Sequence, residues 1–286
     1  MTRRFNRLSQ SLLLAALLGA GAGARADAQG LSADRDNLNN SRGDIWAVVT
    51  SPVHTRGRDV LTVAATLGAA AITSRIDSVG YLWLKSHDKT FVMQLLRPIR
   101  EGTSHKLYEF GSGQYLLPMA GSLYLAGRLS HSRDLVDAGL GCASGHLASL
   151  ALRQVTFRSV KRGRPAVSAS PFNISVPGTS VWSWESFYSG HLSNSMACAS
   201  LISNRFALGK LEALPFAFSA AIGLGRLADG HHWASDMVVG GVVGYAVGKA
   251  IADRQLARVE RPAATGAALS SQARWSVPVF QWSVAF

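Results

Sequence analysis

The stretch LVDAGLGCASGHLASLALRQVTF, Leu135 to Phe157, decides how the rest of the chain is read. It is apolar, rich in Ala, Gly and Leu, and too long for a strand, whose apolar runs are shorter and richer in β-branched residues, so it reads as a helix. Stretches of the same kind recur at Val60–Ser74, Gln114–Leu129, His191–Leu208, Leu211–Leu227 and Ala234–Ala252. Together, with no internal repeat, they predict an all-α fold: a helical bundle of about six helices.

The flanks read differently. Residues 1–28 have the parts of an export signal: a basic start at Arg3, Arg4 and Arg7, an apolar run from Leu12 to Leu18, and a small-residue cleavage site in ARA or ADA. A polar lead with little periodicity follows at 29–57, the helical domain occupies 58–256, and 257–286 reads as a linker and an aromatic, β-branched tail. The charge-free runs Val60–Ser74, Ala138–Leu152 and Met237–Gly248 are each shorter than the roughly 18–20 residues a membrane-spanning helix needs, which favours a compact bundle in the periplasm or on a membrane surface.

Lys and Arg number 29 against 17 Asp and Glu, a net charge of +12. That excess suits an anionic partner, phosphate or an acidic membrane surface. It does not indicate nucleic acid, for which the sequence has no RNP-like, zinc-finger or basic-helix signature. Export would permit a disulfide between Cys142 and Cys198, yet both lie among small apolar neighbours and read as two buried thiols.

Three short stretches carry chemistry. FRSVKRGRP, Phe157 to Pro165, crowds Arg158, Lys161, Arg162 and Arg164 at the end of the long helix. Guanidinium forks hold phosphate oxygens in pairs, although basic residues at a helix C-terminus also answer its dipole. FYSGH, Phe187 to His191, precedes an apolar helix: Ser189 can cap it, Gly190 lets a backbone amide approach a ligand, and His191 falls in the first turn, where anions bind and where it could protonate a leaving oxygen. A second SGH, ending at His146, lies in mid-helix and reads as a packed histidine.

The third is GRLADGHHWASD, Gly225 to Asp236. On a helix only His232 of the two adjacent histidines has a carboxylate, Asp236, at i+4. A carboxylate on one ring nitrogen fixes the tautomer and leaves the other as a nucleophile. A zinc site on His231, His232 and Asp236 is the rival reading, and the divergence of adjacent histidines on a helix counts against it.

In this order the stretches resemble the type 2 phosphatidic acid phosphatase superfamily, which includes lipid phosphate phosphatases, bacterial acid phosphatases and vanadium haloperoxidases. Its pattern is K-x6-RP, PSGH and SR-x5-H-x3-D. Arg164 and Pro165 match the RP, Ser189, Gly190 and His191 the SGH, and Arg226, His232 and Asp236 the last motif. Phe157 stands where the pattern has lysine, Tyr188 where it has proline and Gly225 where it has serine.

The resemblance implies a phosphatase needing neither metal nor other cofactor and working through a phosphohistidine in the bacterial envelope. His232 would attack phosphorus, Asp236 orient it and His191 protonate the leaving group. Arg164, Arg226, Ser189 and the Gly190 amide would hold the phosphoryl oxygens, with Arg158 or Arg162 covering the vacant lysine role. The implied substrate is a phosphorylated lipid such as a phosphatidate, a polyprenyl diphosphate or a phosphorylated headgroup. The alternatives are a soluble phosphomonoester and a catalytically weak member that binds anionic lipid; a vanadate-dependent peroxidase fits least, those enzymes being usually longer. Trp182 and Trp184 suit either a lipid entrance or the interfacial belt of a membrane-surface protein. The motifs leave the oligomeric state open.

Overall fold

The computed structural model describes residues 28–54, 57–87, 89–91, 94, 107–168, 170–175, 182–206 and 208–260. The export signal and the tail expected beyond 260 lie outside the described residues. Contacts divide the chain into Met1–Asn40, of which the described part is the first half of one helix, and Ser41–Phe286.

Eight α-helices form among the described residues: α1 Ala28–Thr50, α2 Arg58–Ser74, α3 Asp77–Ser86, α4 Gly113–Leu129, α5 Arg133–Ser159, α6 Gly190–Arg205, α7 Ala213–Ala228 and α8 Ala234–Glu260. Between α5 and α6 a two-residue strand, β1 Lys161–Arg162, pairs antiparallel with β2 Ile174–Ser175. The six helices expected from apolar runs are all present, and the fold is all-α. Two more were not expected. The polar lead is helical, and within the second unit the buried Asp44 of α1 accepts from Arg254 Nε at 2.6 Å and from both terminal nitrogens of Arg258 at 2.8 and 2.7 Å. The same contacts carry α8 past the expected linker start at 257. In α3 the first residue, Asp77, is buried and accepts from the amide of Ser235 at the start of α8 at 3.0 Å.

Small residues set the packing. Gly240, Gly244 and Gly248, one helical turn apart on α8, lie against the backbone of α6 at Ser189, Ser193 and Ala197. A Cβ at Gly240 would stand 2.8 Å from the Ser189 carbonyl oxygen, and one at Gly244 or Gly248 would collide with the carbonyls of Ser193 or Ala197. The contacts ascend together on both helices, so α6 and α8 run parallel and begin at the same end. Those between α5 and α6 run oppositely, from Gly141 on Leu201 to Arg153 on Gly190, and make that pair antiparallel.

Cys142 and Cys198 form a disulfide across this α5–α6 seam, not two free thiols. The small neighbours that suggested buried thiols are what let the helices approach, with the two Cα atoms 4.5 Å apart. A cross-link between residues 56 apart contributes about 4 kcal/mol by the chain-entropy argument.

Among the described residues three helices are long and apolar enough to cross a membrane, Arg133–Ser159, Gly209–Ala228 and Ala234–Val259, with a fourth span if α2 and α3, bent by 51°, count as one. This differs from the expectation drawn from charge-free runs, because each helix continues through its charged residues. Large apolar side chains stand exposed on the outer faces, among them Leu61, Leu67 and Ile72 of α2, Leu125 and Leu129 of α4, and Leu214 and Leu224 of α7. Such a surface suits lipid.

Gly244→Val is expected to push α6 from α8, lowering both the folded yield and Tm in detergent, whereas Gly121→Ala, where a Cβ would meet nothing within 4 Å, leaves both unchanged. Replacing both cysteines by serine is expected to lower Tm by roughly 5–10 °C.

Candidate active site

Because α6 and α8 start at the same end, the SGH stretch and the His-x3-Asp stretch meet there. The Ser189 amide donates to the Asp236 carbonyl at 3.3 Å. Ser189 occupies the position before α6 without capping it: its hydroxyl is buried and donates to nothing among the described residues. A Cβ at Gly190 would stand 2.6 Å from Arg153 Nε and would displace that side chain. The turn inside the third motif, between Arg226 and His232, needs Gly230, whose φ is +68° and against which Tyr81 of α3 packs.

His232 is fully buried. Its Nδ1 lies 2.6 Å from the Ser186 carbonyl oxygen, which can only accept, so Nδ1 carries the proton. The Asp236 carboxylate is 3.9 Å from Nδ1, beyond hydrogen-bonding distance. The tautomer is therefore fixed by a backbone carbonyl, not directly by the i+4 carboxylate. Asp236 accepts instead from Arg162 Nη1 at 2.5 Å, Ser186 Oγ at 2.5 Å and the Trp233 amide at 2.9 Å. It holds Ser186, and Ser186 holds the ring.

That leaves His232 Nε2 buried with no hydrogen-bond partner among the described residues. Burial, reinforced by the charges of Arg164, Arg226 and Arg153, pushes the His232 pKa well below the ordinary histidine range. The ring is neutral near pH 7, and Nε2 presents a lone pair to a cluster of cations.

Arg164 and Arg226 are both buried there. Arg164 donates to the His231 carbonyl at 3.3 Å and the Glu185 carbonyl at 3.2 Å, and burial followed by repulsion from Arg226 and Arg153 lowers it to about 10. The Arg226 guanidinium lies 4.8 Å over the Tyr108 ring and 3.9 Å from Glu109 Oε1. Glu109 also meets His191, whose Nε2 is 3.5 Å from Oε2. The hydrogen bond with His191 holds the Glu109 carboxyl below its usual value. Burial lowers His191, while Glu109 partly restores its basicity.

The arginine cluster divides. Arg162 is committed to protein acceptors: Nε to the Pro171 carbonyl at 2.7 Å, Nη1 to Ser235 Oγ at 2.8 Å and to Asp236, Nη2 to Asp77 Oδ2 at 2.9 Å. It positions Asp236, and all three of its guanidinium nitrogens already donate to protein acceptors. Arg158 is exposed at the end of α5 and is not brought to the cluster. Phe157 is buried beneath the guanidinium of Arg153, 3.9 Å away. His146 is buried on α5 against Gly113, as expected of a packed residue.

His231 turns toward Arg164, 3.3 Å from Nδ1 to Nη1, while His232 turns to Ser186. Among the described residues no three His, Cys, Asp or Glu side chains are grouped to hold a metal ion.

Sequence reasoning missed Asp77, Tyr108, Glu109, Ser186 and Arg153. Ser186, five residues before His191, and Arg153, one helical turn before Phe157, lay close to quoted motifs; Asp77, Tyr108 and Glu109 had no motif to mark them. The 3-10 turn Leu107–Gly111 that carries Tyr108 and Glu109 is fastened to α6, where Asn194 Nδ2 donates to the Gly111 carbonyl at 3.1 Å.

Residues 136–259 match the sequence profile of the PAP2 superfamily. Among solved structures, the crystal structure of Aquifex aeolicus LpxE is similar, with 22% sequence identity, 56% of this chain and 94% of that chain covered, and a TM-score of 0.37. No curated protein matches the chain. The RP, SGH and His-x3-Asp stretches all fall inside the matched segment, and over that segment the chain resembles the PAP2 superfamily.

Proposed function

We propose that this protein is a phosphatase of a lipid-linked phosphate ester in the bacterial envelope, acting through a covalent phosphohistidine. The observation that carries the reading is the unpartnered, fully buried Nε2 of a neutral His232 among guanidinium groups. A lone pair buried among cations suits attack on a phosphorus atom whose oxygens those cations hold.

In the first step His232 Nε2 attacks phosphorus; the P–N bond forms as the bond to the leaving oxygen breaks, and protonated His191 gives that oxygen its proton. Developing negative charge on the equatorial oxygens is met by Arg164, Arg226 and the Ser189 hydroxyl. The growing positive charge on the His232 ring is met through Ser186 by Asp236, itself held by Arg162 and Asp77. In the second step neutral His191 takes a proton from water, the hydroxyl attacks phosphorus, the P–N bond breaks and phosphate leaves. Glu109 supports His191 in both steps by stabilising its charged form.

The lipid part of the reading rests on the exposed apolar faces and the three helices of spanning length. The disulfide supports an oxidising compartment such as the periplasm.

Phosphate release from phosphatidate, polyprenyl diphosphate and p-nitrophenyl phosphate tests the reading. We expect hydrolysis that favours the lipids, persists in strong chelator and is inhibited by vanadate. Activity lost in chelator and restored by zinc would refute the mechanism, and anionic-lipid binding without turnover would mark a non-catalytic member. His232→Ala is expected to abolish turnover and any acid-labile phosphoenzyme, while His231→Ala keeps measurable activity. Arg164→Ala or Arg226→Ala is expected to lower kcat/KM at least ~100-fold, and Arg158→Ala to leave it unchanged.

The Glu109–His191 pair sets a pH limb. The working acid is protonated His191, so activity on poor leaving groups falls as pH rises through its pKa. Glu109→Gln removes an influence that raises this pKa and is expected to move the limb to lower pH, more for alkyl than for aryl phosphates. An unmoved limb would separate Glu109 from the acid.

A further inference from the structure

The described site has a cation that neither the motifs nor the mechanism above uses. Arg153 sits on α5 with its Nε buried and donating to nothing among the described residues. Its guanidinium lies 3.9 Å over the Phe157 ring, and its stem crosses the face of Gly190, where a Cβ would stand 2.6 to 2.7 Å away. An aromatic floor and a side-chain-free window thus aim the group at the start of α6. Its charge acts on His232, His191 and Arg164. The carboxylate that acts on it, Glu185, already faces Lys161 at 3.9 Å.

A half-buried guanidinium whose Nε has no partner among the described residues, set among other cations, is costly unless an anion joins them. Resting on the phosphatase reading, we propose that Arg153 holds a phosphoryl oxygen of the substrate and stands in for the lysine absent at position 157. Residues 153 and 157 share one face of α5 a single turn apart. By reaching forward over the Phe157 ring, the Arg153 side chain brings its charge to the turn from which a lysine at 157 would have extended. Phe157 then serves as the surface that the guanidinium stacks on, which explains an aromatic residue there. The exposed Arg158 has no such path.

The test measures binding of inorganic phosphate and orthovanadate by calorimetry beside phosphate release. Arg153→Gln is expected to weaken phosphate binding about 10-fold or more and to lower kcat/KM about 100-fold. Arg153→Lys keeps the charge without the fork and is expected to fall between; it also serves if the glutamine variant does not fold, as judged by Tm. Returning the cation one turn later, in the double variant Arg153→Ala/Phe157→Lys, is expected to recover at least about 10-fold of the activity lost in Arg153→Ala. Wild-type phosphate affinity in both Arg153→Gln and Arg153→Lys, with the unsubstituted protein active, would overturn the assignment of Arg153 and leave the phosphatase reading standing. An unsubstituted protein that neither binds phosphate nor releases it would overturn both.

Discussion

The backbone of α6 rests directly on the glycines of α8, and the site exists because of that contact. Side chains at 240, 244 and 248 would hold the helices apart, and the parallel start of α6 and α8 would be lost with the close approach. From this one seam follow the meeting of Ser189 with Asp236, the exposure of both His191 and His232 to the charges of Arg226 and Arg153, and the window at Gly190 beside which α5 brings a guanidinium. The disulfide fastens α5 to the same helix α6 further along, so the three helices that frame the cluster are joined by close packing on one side and a covalent bond on the other.

Around this frame the ionised groups sort into two layers. The inner cations, Arg153, Arg164 and Arg226, face the unpartnered nitrogen of His232, with Glu109 at the margin. The outer layer is saturated: Arg162 bridges Asp77 and Asp236, and Ser235 donates its amide and hydroxyl to Asp77. Arg162 and Arg164 are neighbours in one short segment, yet they fall on opposite sides of this division. The extended backbone at β1 points the first toward α3 and α8, and the turn after it points the second toward the histidines.

Much of this was legible in the sequence, because helices with apolar, small-residue faces declare themselves by length and the RP, SGH and His-x3-Asp stretches by spacing. The glycine seam was present in the letters as well, at every fourth residue of α8, but its meaning needs a partner helix. What the letters withheld was tertiary. Asp44 and Asp77 gave no local signal, since each is stabilised by arginine or serine far along the chain. Arg162 reads as a phosphate ligand until its four protein acceptors are placed, and Arg153 has no motif to mark it, its position over Phe157 and against Gly190 being set by the contact of α5 with α6. The cysteines were misjudged for a related reason, as small neighbours indicate burial equally well whether they surround a thiol or let two helices close on a cross-link.

The parallel start of α6 and α8 has one more physical consequence. Each helix carries roughly half a positive elementary charge at its N-terminus, so the seam sets two like dipole ends side by side, next to three guanidiniums. This opposes the close packing that creates it. A phosphoryl dianion held at the shared end, as proposed, would reverse the sign of the balance, turning repulsion between the helix ends into attraction toward a common charge. On the proposed reading, the bundle would be drawn together most tightly with substrate or product phosphate in place.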